Sequence, residues 1–327
     1  MTRVALLASL ALAGAVIVEA QIFRTAIEAV QVDVLVTSGN RPIGGLTAAD
    51  FELLDNGVPQ RIDDVGIEEV PFSMLLVLDT SDSMTGSKLA DLKTAATAAV
   101  NAMRTADRAS LLTFSDVIAQ PVGWRTKGAD LTSTIDALGA SGRTALFDAA
   151  FSGLSVRDPE PGRRALVLIF SDGVDTSSWL PAASAMDKAS RTDAVVYAVV
   201  LAEGLPMNMD RTGMPARGGP VSARPSWLER PQRRLYFRSG VTLSPGATLF
   251  DQSSLLRELV ERTGGEALVA QTSRQLRDAF QRIVMDFRTR YLLSYLPAGV
   301  EPTGWHRIDV KVKGRDATVK ARRGYQR

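Results

Sequence analysis

The residues best placed to do chemistry lie in one short stretch, Pro71 to Met84, which reads PFSMLLVLDTSDSM. Asp79, Ser81 and Ser83 alternate with Thr80, Asp82 and Met84, directly after the apolar run Phe72 to Leu78. That run is too short for a typical helix and suits a buried strand. A buried strand ending in an acid and two hydroxyls brings three oxygen donors to the carboxyl edge of a sheet. In open α/β sheets that edge is where ligands bind. Donors that are all oxygen, with one fixed negative charge, suit a hard cation such as Mg²⁺. The same residues also have a plain use, because Asp and Ser favour helix N-termini and a helix is expected from Lys88.

The surrounding pattern says which elements must hold this stretch. Lys88 to Arg104 reads as a helix, with Leu89, Leu92, Ala96, Val100 and Met103 on one face. Ser110 to Phe114 reads as a strand, with Val117 to Val122 as its hairpin partner. Helices are expected over Leu131 to Leu138 and Ala145 to Val156. Arg164 to Phe170 is a second buried strand and runs into Ser171-Asp172-Gly173. A helix (Ser184 to Arg191), a strand (Ala194 to Leu201), a helix (Leu255 to Thr263), a strand (Glu266 to Ala270) and the amphipathic helix Ser273 to Arg288 follow. This alternation predicts an α/β fold with a doubly wound, mainly parallel sheet over residues 71–289.

Both flanks read as strands. Val30, Val32, Val34 and Val36 alternate, and Asp55-Asn56-Gly57 signals a hairpin. Tyr291 to Leu296, Trp305 to Lys313 and Ala317 to Ala321 are strands at the other end. Each flank is too small to stand alone. Residues 21–70 and 290–327 are therefore expected to pair into one small β-sandwich-like module, with the α/β domain inserted between them. Residues 204–248, rich in proline and arginine, break the alternation. This insertion reads either as an overhang that helps select an acidic partner or as a solvated loop.

Composition removes several classes of function. The chain has 327 residues, 45% hydrophobic and 23% charged, with a net charge of only +2, enough apolar content for a sizeable core. No basic stripe interleaved with aromatics points to nucleic acid. Cysteine is absent, which removes disulfides, thiolate metal sites and cysteine nucleophiles. His306 is the single histidine, so an imidazole zinc site is disfavoured, and it is expected on the surface of a strand. Residues 1–20 read as a secretory signal: Arg3, an apolar Val4 to Val18, then Val18-Glu19-Ala20 before Gln21. An uncleaved anchor helix is the alternative, and would be the one contact with a membrane. The expected location is secreted, periplasmic or in the cell envelope.

Three separated motifs carry a resemblance. Asp79-Thr80-Ser81-Asp82-Ser83, Thr144 in Gly142-Arg143-Thr144-Ala145-Leu146, and Ser171-Asp172-Gly173 after a buried strand together resemble a von Willebrand factor A domain with its metal-ion-dependent adhesion site. The likeness covers about Phe72 to Phe287. The flanks, with Tyr291-Leu292-Leu293 and Arg322-Arg323-Gly324-Tyr325, are similar to those of secreted bacterial proteins related to this domain. The resemblance implies that Ser81 and Ser83 bind a divalent cation through their hydroxyls. Asp79 would sit beside it, and Thr144 and Asp172 would complete the site directly or through water. The cation would be Mg²⁺, or Mn²⁺ or Ca²⁺. The partner would be a protein offering an Asp or Glu carboxylate, with no small-molecule substrate and no catalysis.

Other readings stay open at this level. Thr144 would also serve as the N-cap of the following helix. Asp172 would also suit an ordinary turn, and Asp175 is expected to face solvent. Asp148 is expected to favour its helix N-terminus through charge. Asp82 and Asp116 have no assigned role. Arg143 reads as a contact for an acidic partner or as a solvated loop residue. A metal-stabilised scaffold and a metal-dependent phosphohydrolase with Asp79 as nucleophile are the competing functions.

Overall fold

A computed structural model describes residues 29–39, 41–67, 70–126, 129–201 and 250–327. The expected signal segment and the insertion at 204–248 lie outside the described residues. Valines at alternate positions make Val30–Ser38 (β1) a strand whose Val32 and Val34 are fully buried. Arg41–Pro42 (β2) folds back on its end. Phe51–Asp55 (β3) and Val58–Gln60 (β4) form the expected hairpin. Asn56 (φ +48°) and Gly57 (φ +81°) are both left-handed, as a two-residue turn of type I′ requires. Ile62–Gly66 (β5) completes this flank.

Every residue of Phe72–Asp79 (β6) is buried. A strand without a polar face belongs in the middle of a sheet covered on both sides. That is its place: Arg108–Phe114 (β7) and Arg164–Ser171 (β9) flank it, both parallel. Among the described residues the sheet runs β11-β10-β9-β6-β7-β8, where Ile118–Thr126 (β8) is antiparallel and Val195–Leu201 (β10) and Ala267–Ala270 (β11) are parallel. Met74, Leu76 and Leu78 point into one core with Ser87–Asn101 (α1), Ala129–Asp136 (α2) and Ser273–Arg288 (α6). Leu75 and Val77 point into the other, with Leu146–Gly153 (α3), Ala182–Ser190 (α4) and Phe250–Thr263 (α5). The expected doubly wound sheet is thus the observed one. The helix α1 ends at Asn101, short of Arg104, and β8 runs on to Thr126, past Val122.

Tyr291–Tyr295 (β12), Trp305–Val312 (β13), Thr318–Lys320 (β14) and Gly324–Gln326 (β15) return to the first flank. One sheet runs β14-β1-β12-β5 with β2 off β1, and the other runs β15-β13-β3-β4. Both chain ends therefore build both sheets, and Val32, Val34, Leu53, Leu293 and Ile308 share the core between them. His306 corrects the expectation of a surface residue: it is fully buried, and its Nδ1 lies 2.8 Å from Oδ1 of the equally buried Asp55. The hydroxyls of Tyr295 and Tyr325 donate to Asp55 Oδ2 at 2.8 and 2.9 Å. The carboxylate supplies the reason for the burial, since it bonds to three buried polar side chains at once. Burial and the Asp55 charge raise both phenols, Tyr325 to about 12, so they remain donors.

Buried arginines join the two modules. Arg164, at the start of β9, donates through Nε to Asp33 Oδ1 of β1 at 2.7 Å and through Nη2 to Phe287 O at 3.0 Å. Arg290, fully buried after α6, reaches Tyr197 Oη at 3.0 Å and Asp33 O at 3.4 Å. Arg288 pairs with Asp107 at 2.7 Å and lies 4.9 Å from the centre of the Phe72 ring. Removing one member of a buried pair leaves its partner's charge without compensation, at a cost of about 3–5 kcal/mol. Arg164→Met is therefore expected to lower stability by about that amount. Asp33→Leu combined with Arg164→Met should recover most of the loss. Urea denaturation of both variants decides; equal losses would mean the pair is not what stabilises the junction.

Candidate metal centre

The sheet order reverses between β6 and β9, and the strands that follow them run to opposite sides. At such a switch point the carboxyl ends of two neighbouring strands open a crevice. The register pairs Leu78 with Phe170, so Asp79 and Ser171 end their strands level with each other. Ser171 Oγ donates to Asp79 Oδ2 at 2.6 Å, and the Ser81 amide donates to Oδ1 at 2.9 Å. Asp79 is fully buried. Burial pushes its carboxyl above the usual range, the bonds from Ser171 and Ser81 pull it back, and the charge of Asp172 pushes it up again.

The hydroxyls of Ser81 and Ser83 lie 3.0 Å apart. Ser81 is buried and precedes a 3-10 turn over Asp82–Met84, yet its side chain makes no capping bond to it. The residue before α1 is Gly86, also without a side-chain cap. The plain capping use of Asp79, Ser81 and Ser83 is therefore not the one the fold makes of them.

Thr144 arrives on a second loop. Ser141 N donates to Thr80 O and Asp82 N to Gly142 O, both at 2.8 Å, which lays residues 141–144 along residues 80–82. Ala145 N donates to Ser115 O at 2.8 Å and ties the same loop to the end of β7. Thr144 is buried but does not cap α3. Asp175 does so, accepting from Leu146 N at 2.8 Å, with Ser178 Oγ accepting from Phe147 N at 3.0 Å. This corrects the solvent-facing expectation for Asp175. Asp148 lies in the first turn of α3, as its charge role requires, and its carboxylate also binds the amides of Trp179 and Leu180 at 2.9 and 2.8 Å.

Asp172 arrives on the third loop. It is half-buried after β9, and its Oδ1 faces Val174 N at 3.4 Å. Thr176 N and Ser177 N donate to Thr144 O at 2.8 and 2.9 Å, which fastens this loop to the second.

Of the residues expected from the sequence, Asp79, Ser81 and Ser83 are joined through direct bonds, and Asp172 is close enough for its charge to act on Asp79. Thr144 is brought in through the backbone of its loop. Ser171 was not expected in the site. Its signal was available, since both central strands end in a polar residue after an apolar run. Two carboxylates and three hydroxyls make a hard, sparsely charged donor set, which suits a divalent cation. No cluster of three acidic, histidine or cysteine side chains able to hold a metal occurs among the described residues.

Gly142 is the backbone condition for this arrangement. Its φ is +85°, and an added Cβ would fall 2.2 Å from Asp116 Oδ1. Asp116 is exposed and can swing aside, so the backbone conformation carries the cost, about 1–2 kcal/mol for an L-residue. Gly142→Ala should lose that amount in urea denaturation. Gly139→Ala, where φ is ordinary and space is open, should be neutral or stabilising by about 0.4–1 kcal/mol. The same response at both positions would show that the loop does not depend on the left-handed turn.

Residues 74–175 match the family described as von Willebrand factor type A domain, a span that contains Asp79, Ser81, Ser83, Thr144 and Asp172. No curated protein matches the chain. Among solved structures, it is similar to a von Willebrand factor type A protein from Catenulispora acidiphila, at 12% identity and a TM-score of 0.49, covering 85% of this chain and 73% of that one. It is similar to an aerotolerance-related membrane protein from Bacteroides fragilis, at 15% identity and a TM-score of 0.45, covering 65% of this chain and 98% of that one. A third is proximal thread matrix protein 1 of the mussel byssus, with a zinc-occupied MIDAS motif, at 13% identity and a TM-score of 0.45, covering 73% of this chain and 50% of that one. By that match, the stretch from Met74 in β6 to Asp175 in the loop after β9 is a von Willebrand factor type A domain.

Proposed function

We propose that this is a non-catalytic binding module that grips an Asp or Glu carboxylate of a partner protein through a divalent cation. The observation that carries the reading is the bonding of three loops to one another at the sheet edge where Asp79 ends β6, with hydroxyls outnumbering carboxylates among the residues they carry. Ser81 and Ser83 would hold the cation through their hydroxyl oxygens, and Thr144 and Asp172 would complete the set directly or through water. Asp79 would orient the serines from behind, its own position fixed by Ser171 and the Ser81 amide. When bound, Mg²⁺, Mn²⁺ or Ca²⁺ would supply a positive charge that few anionic donors neutralise, and hence attraction for an incoming carboxylate.

A phosphohydrolase reading is weaker, because both Asp79 oxygens are engaged and the side chain is fully buried, which a nucleophile attacking substrate cannot be. A scaffold role for the metal predicts that partner binding survives its removal. The module would act outside the cytoplasm, in the envelope or secreted, on the strength of residues 1–20. None of the described helices is long and apolar enough to cross a membrane.

Two experiments test this. In the first, thermal unfolding is followed with Mg²⁺ or with EDTA. A cation at about 100 times its Kd adds about 2.7 kcal/mol to the fold that binds it. A carboxyl whose pKa is raised in the fold favours the fold only when protonated. In EDTA the Asp79 contribution is therefore present in acid and lost as pH rises through the raised value. The Mg²⁺-induced shift should grow from the acid range to neutral pH. Asp79→Asn should melt no lower than wild type in EDTA at neutral pH and should not respond to Mg²⁺. Equal Mg²⁺ shifts in the two proteins would overturn the site.

In the second, the chain is immobilised and exposed to an envelope extract. Retention of a partner in Mg²⁺, and its loss in EDTA or with Ser81→Ala, supports the carboxylate grip. Retention unaffected by EDTA selects the scaffold.

A further inference from the structure

Trp179 has 93% of its side-chain-bearing surface exposed, on the loop that joins β9 to α4. That loop leaves the same sheet edge as Asp79, because β6 and β9 are parallel neighbours. A tryptophan carries about 150–250 Å² of mostly apolar surface, which contact with a partner would remove from water. The loop is not slack. Thr176 and Ser177 are bonded to Thr144 O, Ser178 accepts from the amides of Phe147 and Asp148, and the Asp148 carboxylate binds the amides of Trp179 and Leu180. The backbone thus fixes the tryptophan while its indole stays free.

Two further exposed residues share this face. Val117, 67% exposed, follows Ser115, whose carbonyl accepts from Ala145 N. Val117 and Trp179 therefore belong to two loops that are both bonded to the Thr144 loop. On the Thr144 loop itself, Arg143 is exposed and forms no ion pair with an acid among the described residues. A cationic centre with a rigid aromatic and an aliphatic contact at its margin fits one kind of occupant: an acidic segment with a large apolar side chain next to the acid. Electrostatics would orient such a segment, and burial of the apolar side chain would hold it. A preorganised anchor loses little freedom on binding.

We propose that Trp179 is the apolar anchor of the partner-binding face, and that the partner presents a protein segment in which Asp or Glu adjoins a large aliphatic or aromatic residue. This rests on the carboxylate reading of the metal centre, and the test separates the two. Random linear peptides displayed on phage are selected on the full chain in Mg²⁺ and eluted with EDTA. The expected peptides pair an acid with an adjacent large apolar residue. As synthetic peptides they should bind Trp179→Ser about tenfold or more weakly than wild type. Replacing their apolar residue by alanine should weaken binding to wild type but scarcely to Trp179→Ser, since the two lost groups meet each other. Trp179→Ser should keep the full Mg²⁺ shift in melting, because its side chain is exposed and outside the donor set. EDTA-eluted peptides that carry acids alone and bind both proteins equally would overturn the anchor and leave the metal grip standing. Absence of EDTA-eluted peptides would overturn the grip and the anchor with it.

Discussion

A carboxylate buried at the end of a central strand must be compensated, and the way Asp79 is compensated sets the geometry of the whole binding face. Its two oxygens take one bond across the sheet, from Ser171, and one along the chain, from the Ser81 amide. The first exists only if β6 and β9 end level, which the parallel register secures. The second draws the chain into a tight turn and leaves the hydroxyls of Ser81 and Ser83 beside each other. Burial still outweighs these bonds, so the carboxyl remains raised. The edge of the sheet is thus short of positive charge, a deficit that a cation would fill.

The loops above this edge are held by one another more than by their own local structure. Residues 80–82 bond to 141–142, residue 115 to 145, and residues 176–177 to 144. Side chains that would ordinarily cap their own helices are replaced by donors and acceptors from distant loops: Asp175 and Ser178 serve the start of α3. Such cross-bonding fixes the loops relative to one another, and groups held in place lose less freedom on binding. It also explains why hydroxyls of the Ser81 and Thr144 loops are not consumed by capping.

Much of this was legible in the chain. An apolar run of strand length that stops at an acid is a local signal, and so is the helical spacing of Leu276, Phe280, Ile283 and Phe287 that makes α6. The doubly wound order followed from alternation. The partnership of Ser171 with Asp79 was not legible, because it depends on the relative register of strands 92 residues apart. Nor was the capping by Asp175, which reaches back 29 residues. His306 shows a different failure. Its position shares the inward phase of Ile308 on β13, but polarity argued for the surface, and only the buried Asp55 reverses that argument.

The β-sandwich bears on the metal face by position. Arg164 and Arg290 meet the sandwich through Asp33, Arg164 at the amino end of β9, while Asp79 and Ser171 lie at the carboxyl ends of β6 and β9. Seven residue steps of strand separate Phe72 from Asp79, about 23 Å at the usual rise. Two of the arginines are matched where they sit, Arg164 by Asp33 and Arg288 by Asp107. The charges carried by the loops at the candidate site itself are those of Asp79, Asp172, Asp116 and Arg143. The sandwich contributes by closing the amino edge and securing both connections to the inserted domain there. The described loops after β6, β7 and β9 lie at the opposite edge, away from these connections.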